Sequence, residues 1–146
     1  MKKDLKKLVF DAGVALKWYL SDEADEDKAL GLLDAYLDRR IKLLAPGLIE
    51  YEIANGLLIA QKRGRISKEI VAMAMDGFFD LGIEMRNLAG LHGKVFIYSQ
   101  EYGRSAYDSS YLALADEEGI GFVTTDKGLY DSLKNDIQWI RLLKEL

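Results

Sequence analysis

The chain has 146 residues, 49% of them hydrophobic and 30% charged, with 24 acidic against 20 basic side chains and a formal net charge of -4. Such a chain is read as one domain over residues 1–146, and its acidity argues against the non-specific coating of nucleic acid by strongly basic proteins, though not against a local basic groove. It has no cysteine and one histidine, His92, which excludes disulfides, thiolate catalysis, structural zinc and a paired-histidine zinc site, and leaves a serine–histidine triad only His92 to use.

No run of about 18 unbroken apolar residues occurs, so no membrane span is expected. Met1 to Lys7 carries four lysines and leads straight into Leu8–Phe10 without a cleavable signal pattern, which makes the cytoplasm the expected location.

Leu8-Val9-Phe10 is a continuous apolar run of the kind that doubly covered parallel strands show. It ends at Asp11-Ala12-Gly13, and a helical pattern follows through Val14, Leu16, Trp18 and Tyr19. Residues 24–40 read as a longer amphipathic helix with Leu30, Leu33, Tyr36 and Leu37 spaced by three and four. Residues 41–45 form the second expected strand. Pro46, the single proline, sits in the turn before a helix over 48–63, which Gly64 stops. Ser67 opens a helix that Gly82 ends. A third strand over 83–86 precedes helices over 92–102 and 108–118. Phe122-Val123-Thr124 is a fourth strand, residues 126–134 a short helix and 137–142 a last strand. Strands separated repeatedly by helices predict an α/β fold with a mostly parallel sheet, in which ligands sit beyond the carboxyl ends of the strands.

That rule gives meaning to four acids. Asp11 follows the first strand and Asp126 the fourth. Asp108 opens a helix and shares an arc with Leu112 and Ala115. Glu52 lies in a largely apolar helix, on a strip shared with Asn55 one turn later, while Glu50 and Gln61 share another. Taken singly, Asp11, Asp108 and Asp126 also read as helix N-caps, and Glu52 as a solvated helix residue. Together they converge on one edge, where clustered carboxylates repel unless a cation neutralises them. With oxygen donors alone, that cation is hard, Mg²⁺ or Mn²⁺.

Four blocks carry a family resemblance: Val9-Phe10-Asp11-Ala12-Gly13-Val14-Ala15-Leu16-Lys17-Trp18; Pro46-Gly47-Leu48-Ile49-Glu50-Tyr51-Glu52-Ile53-Ala54-Asn55; Tyr107-Asp108-Ser109-Ser110-Tyr111-Leu112-Ala113-Leu114-Ala115; and Val123-Thr124-Thr125-Asp126. In this order the chain resembles the PIN-domain ribonucleases, above all the VapC-like toxins of type II toxin–antitoxin pairs. The resemblance implies a three-layer α/β/α sandwich and a Mg²⁺- or Mn²⁺-dependent endoribonuclease. It implies an acidic quartet of Asp11, Glu52, Asp108 and Asp126, with Thr124 as the hydroxyl residue two before the last acid and Asn55 as a supporting residue. It also implies a homodimer and a small antitoxin partner. One position departs: where the family usually has Ser or Thr two residues after the first acid, this chain has Gly13, so a hydroxyl near the metal is expected to be missing.

Lys17, Lys62, Arg63, Arg65 and Arg104 are candidates to hold an RNA backbone, although Lys62-Arg63-Gly64-Arg65 reads equally as a solvated helix end complementing the macrodipole. Trp18, Tyr19, Tyr107 and Tyr111 could stack bases or lie in the core. The stretches Met73–Phe79 and Trp18–Leu20 fit an interface or the core alike. His92 reads as a polar residue at a helix end. The alternative function, kept open by Gly13, is a catalytically weak domain of the same fold that binds protein or RNA. A receiver domain would want paired acids after its first strand, and a haloacid-dehalogenase-type phosphatase an Asp where Gly13 stands. A phosphate loop would follow a strand, whereas Gly119-Ile120-Gly121 precedes one.

Overall fold

The computed structural model describes residues 6–146, so the reading of the amino-terminal stretch up to Leu5 lies outside the described residues. The apolar runs form β1 (Lys6–Phe10), β2 (Ile41–Pro46), β3 (Glu84–Arg86), β4 (Gly121–Thr124) and β5 (Ile140–Leu142). They make one sheet in the order β3-β2-β1-β4-β5, with every neighbouring pair parallel. Val9 pairs with Leu44 on one side and Phe122 on the other, and all three are essentially inaccessible to solvent. This double burial is why these strands read as continuous apolar runs instead of alternating ones.

Seven helices among the described residues cover the sheet: α1 (Ala12–Tyr19), α2 (Glu26–Leu37), α3 (Ile49–Lys62), α4 (Lys68–Asp80), α5 (His92–Tyr102), α6 (Ala106–Glu118) and α7 (Lys127–Leu133). Strand residues alternate between two cores. Leu8, Phe10, Leu43, Ala45 and Val123 pack with Val14, Ala29, Ile53, Leu57 and Phe78 of α1 to α4. Val9, Leu44 and Phe122 pack on the opposite face with Val95, Leu112 and Leu129 of α5, α6 and α7. The result is the expected three-layer sandwich. Each fully buried Leu or Phe contributes roughly 1.5–3 kcal/mol, which outweighs the poor autonomy of helices as short as α1.

The element boundaries shift for local reasons. α2 begins at Glu26 because Asp25 adopts a left-handed conformation, with φ of 60°. β5 begins only at Ile140, since Ile137 stays buried but bonds its N–H back to Leu133 O at 2.8 Å, completing a turn after α7. α6 starts two residues before the expected Asp108. Its N-cap is Ser105, whose hydroxyl accepts from Asp108 N at 3.0 Å. Asp108 therefore lies inside the first turn, and the cap reading of that acid is replaced by one in which Ser105 does the capping. Ser105→Ala is expected to cost about 1 kcal/mol of folding stability, read by urea denaturation; an unchanged midpoint would contradict the cap.

The apolar stretches divide between core and surface. Trp18 donates its indole N–H to Ala29 O at 2.8 Å and packs against Phe10, so it belongs to the core. On α4, Ala74 and Phe78 are buried while Met73 and Phe79 remain exposed. No helix among the described residues is long and apolar enough to cross a membrane.

After β1 the chain builds outward through β2 and β3, then returns to place β4 and β5 on the other side. The carboxyl ends of β1 and β4 therefore flank a topological switch point, where parallel sheets open a crevice.

Candidate functional site

Asp11 and Asp126 occupy equivalent places at that switch point, each immediately before a helix and each its N-cap. Asp11 Oδ1 accepts from Val14 N at 3.2 Å, and Asp126 Oδ1 accepts from Leu129 N at 3.0 Å. The cap reading and the site reading thus both describe these residues. Thr124, fully buried at the end of β4, joins them: its hydroxyl donates to Asp11 Oδ2 at 2.6 Å while its oxygen accepts from Asp126 N at 3.0 Å. Asp11 Oδ2 also accepts from Thr125 N at 3.1 Å.

Glu52 reaches the same edge from the other side of β1. Gly47 N bonds to Arg86 O at 2.9 Å, fixing the turn after β2, and α3 begins at Ile49 with Glu52 in its first turn. Its Oε1 accepts from the Tyr111 hydroxyl at 2.5 Å. Tyr111 belongs to α6, in the opposite layer, and its ring stacks on Phe122 of β4 with centroids 5.4 Å apart. α6 can supply such a strut because it is buried almost all round from Ser109 to Ala115. A buried tyrosine hydroxyl needs a partner, a signal that points from Tyr111 to an acid, but the base-stacking and core readings of this residue both passed over it.

The electrostatics are those of under-compensated acids. Burial raises the pKa of Asp11, against the hydrogen bonds from Thr124, Thr125 and Val14. Glu52 is raised by burial, lowered by the Tyr111 hydrogen bond, and raised again by repulsion from Asp11 and Asp108. Asp108 is raised by burial, lowered by Arg104 and raised by Asp126. Burial and the Glu52 charge push the Tyr111 phenol up as well, keeping it a proton donor. Of the four acids only Asp108 has an ion-pair partner among the described residues, Arg104 Nη1 at 3.9 Å. Glu52 therefore feels Asp11 and Asp108, and Asp108 feels Asp126, yet no three acidic or histidine side chains among the described residues stand close enough to grip one ion directly.

The remaining candidates scatter. Asn55 is exposed on α3, one turn after Glu52. Lys17 borders a cleft of about 160 Å³ together with Thr125 and Lys127. Arg104 bonds Ser132 Oγ at 2.6 Å besides meeting Asp108. Lys62 and Arg63 end α3, ten and eleven residues after Glu52 and so about 15 Å along the helix from it. Arg65 is tied to Glu23 at 2.9 Å and to Ser21 O at 3.2 Å. Tyr107 is exposed, Tyr19 packs in the α1–α4 core, and His92 is an exposed residue at the start of α5, edge-on to Phe96. The hydroxyl expected to be missing beside Gly13 is present from another source: Thr125 Oγ1 lies 3.4 Å from Asp11 Oδ1.

Comparison with known proteins places this arrangement. Residues 8–132 match the PIN domain family. Ribonuclease VapC9 of Mycobacterium tuberculosis is 31% identical over 125 residues, covering 86% of this chain and 90% of that protein. Ribonuclease VapC3 of Pyrobaculum aerophilum is 25% identical, covering 84% and 92% respectively. Among solved structures, a Pyrobaculum aerophilum protein superposes with a TM-score of 0.66 at 20% identity over 97% of this chain and 91% of its own. The sarcin–ricin-loop-cleaving toxin VapC20 of Mycobacterium tuberculosis gives 0.60 at 11% identity over 86% and 94%; likenesses at that identity speak for the fold. The family match across most of the chain, with a relative above 30% identity over nearly the same span, makes this chain a member of the PIN-domain family, among the VapC ribonucleases.

Proposed function

We propose that the chain is a Mg²⁺- or Mn²⁺-dependent endoribonuclease hydrolysing RNA phosphodiester bonds at the carboxyl edge of its sheet, as the toxin of a type II toxin–antitoxin pair. The observation that supports this reading is the run of electrostatic coupling at the switch point, from Asp11 through Glu52 and Asp108 to Asp126, with Arg104 the one cation paired with any of them among the described residues. The donors are all carboxylate and hydroxyl oxygens, which suits a hard cation. Mg²⁺ keeps several waters and is commonly held through one or two carboxylates, so the lack of a group of three among the described residues does not oppose it.

Asp11 and Asp126 are the main ligands in this reading, with Asp108 and Glu52 completing the shell through water or orienting the attacking water. When bound, the cation supplies Lewis-acid polarisation of a phosphoryl oxygen and a lowered pKa for the water that attacks phosphorus in line. Thr124 holds Asp11 and the backbone of Asp126 in one frame. Tyr111 fixes the Glu52 carboxylate. In this reading Arg104, paired with Asp108, and Lys17, which shares a cleft with Thr125, hold neighbouring phosphates, while Lys62, Arg63 and Arg65 engage only RNA that continues along α3. Asn55 supports Glu52 from the next turn. An antitoxin covering the acidic groove, homodimerisation and a cytoplasmic setting accompany the reading through the VapC likeness.

The test is cleavage of an unstructured RNA. Products are expected with Mg²⁺ or Mn²⁺ and not in EDTA; the same products from Asp11→Asn, or cleavage undiminished by EDTA, would overturn the assignment. The rival reading, a weakened binding module, draws on the hydroxyl lacking at Gly13; the Thr125 hydroxyl, 3.4 Å from Asp11 Oδ1, supports the nuclease over it.

A further inference from the structure

Gly13 sits in the first turn of α1, against the turn that joins β4 to α7. A Cβ atom placed on it would stand 2.0 Å from Thr125 Oγ1, 3.1 Å from Thr125 Cβ and 3.2 Å from Thr125 Cγ2. Side-chain atoms do not approach so closely, so position 13 and the Thr125 side chain compete for one volume. Glycine inside a helix costs about 1 kcal/mol relative to alanine, and Gly13 keeps an ordinary negative φ. Its backbone does not require glycine, but the neighbouring space does.

What fills that space touches both oxygens of Asp11. Thr125 Oγ1 is 3.4 Å from Oδ1, and Thr125 N donates to Oδ2 at 3.1 Å. Together with Thr124 on Oδ2 and Val14 N on Oδ1, these contacts fix the plane of the carboxylate. A hydroxyl carries one proton and two lone pairs. After donating to Asp11, Thr125 Oγ1 still has acceptor capacity for water in the cleft it borders, whose volume of about 160 Å³ admits several waters.

We propose that Gly13 and Thr125 form one functional pair, in which Thr125 supplies from the β4–α7 turn the hydroxyl that orients Asp11 for cation binding and Gly13 leaves it the room. Thr125 is a positioning residue that acts through Asp11. The proposal rests on the reading that a divalent cation binds at Asp11.

The experiment is titration calorimetry of Mn²⁺ into the metal-free full-length chain, with a thermal melt of each variant. Thr125→Val keeps the shape and removes the hydroxyl, and is expected to weaken Mn²⁺ binding about ten-fold, the usual scale for a group that orients a metal ligand. Thr125→Ser should stay within about two-fold of the unmodified chain, a rescue that a merely structural role for the threonine methyl would not give. Gly13→Ser alone should weaken binding by displacing Thr125, and the double variant Gly13→Ser with Thr125→Ala should recover most of the affinity. Should the position-13 variants fail to fold, Thr125→Val and Thr125→Ser carry the test alone. Asp11→Asn is titrated alongside. If it loses Mn²⁺ binding while Thr125→Val binds normally, the pair is overturned and the cation site stands. If Asp11→Asn itself binds Mn²⁺ normally, both are overturned. A folded double variant no better than Gly13→Ser also overturns the exchange.

Discussion

Asp11→Asn is expected to lower kcat/KM for RNA cleavage by about 10³-fold or more while leaving folding stability within about 1 kcal/mol. The large effect follows from what the carboxylate does. A divalent cation contributes several kcal/mol of transition-state stabilisation, and about 4 kcal/mol corresponds to roughly 10³ in rate. Asn retains one acceptor oxygen, which cannot serve both the Thr124–Thr125 side and Val14 N, so about one hydrogen bond is lost, near 1 kcal/mol. Removing a buried charge whose pKa is already raised offsets that loss. Single-turnover kinetics and urea denaturation measure the two quantities. A proportionate fall in both would mean that Asp11 serves only as the cap of α1.

Glu52→Gln is expected to change activity and stability in opposite directions. Gln keeps an acceptor for the Tyr111 hydroxyl, 2.5 Å from Oε1, but lacks the charge that burial and the neighbouring Asp11 and Asp108 disfavour. Activity should fall by roughly 10²-fold, as for loss of a group that positions a metal or its water. The metal-free fold should become more stable at neutral pH, by on the order of 2 °C in Tm. The sign follows from the direction of the shift. Because the folded pKa of Glu52 is raised, its protonated form is the one that folding favours. That contribution is fully present below the ordinary value of 4.5 and is lost as pH rises through the folded pKa. The Tm advantage of the variant should therefore be small at low pH and widen towards neutrality in EDTA. A gap independent of pH, or one that closes as pH rises, would contradict the electrostatic assignment.

The strands and their parallel character were legible because double burial leaves a plain signature, the short apolar runs Leu8-Val9-Phe10 and Phe122-Val123. The places of Asp11 and Asp126 at the carboxyl edge of the sheet were legible because Asp11 directly follows such a strand and Asp126 comes two residues after another. Less was visible where contact depends on bringing distant segments together. Ser105 was passed over as the cap of α6 because Asp108 looked the better start, and only the register of the helix decides between them. The Tyr111–Glu52 bond spans 59 residues and two layers of the sandwich. The exchange between Gly13 and Thr125 spans 112 positions, and neither residue advertises it: one carries no side chain, and the other stands between two residues of an already conspicuous block. Ile137 shows the converse limit, since apolar character marked it for burial but could not say that its backbone closes a turn and not a ladder.

Diffraction from crystals grown with Mn²⁺, with data collected to reveal anomalous scattering from the metal, decides whether a divalent cation binds at this edge of the sheet. The expected result is a peak at the carboxyl ends of β1 and β4, about 2.0–2.2 Å from an oxygen of Asp11 or Asp126 and completed by water, with Glu52 and Asp108 within reach of that water. A peak elsewhere on the molecule, or none at this edge with the four carboxylates in place, would contradict binding there.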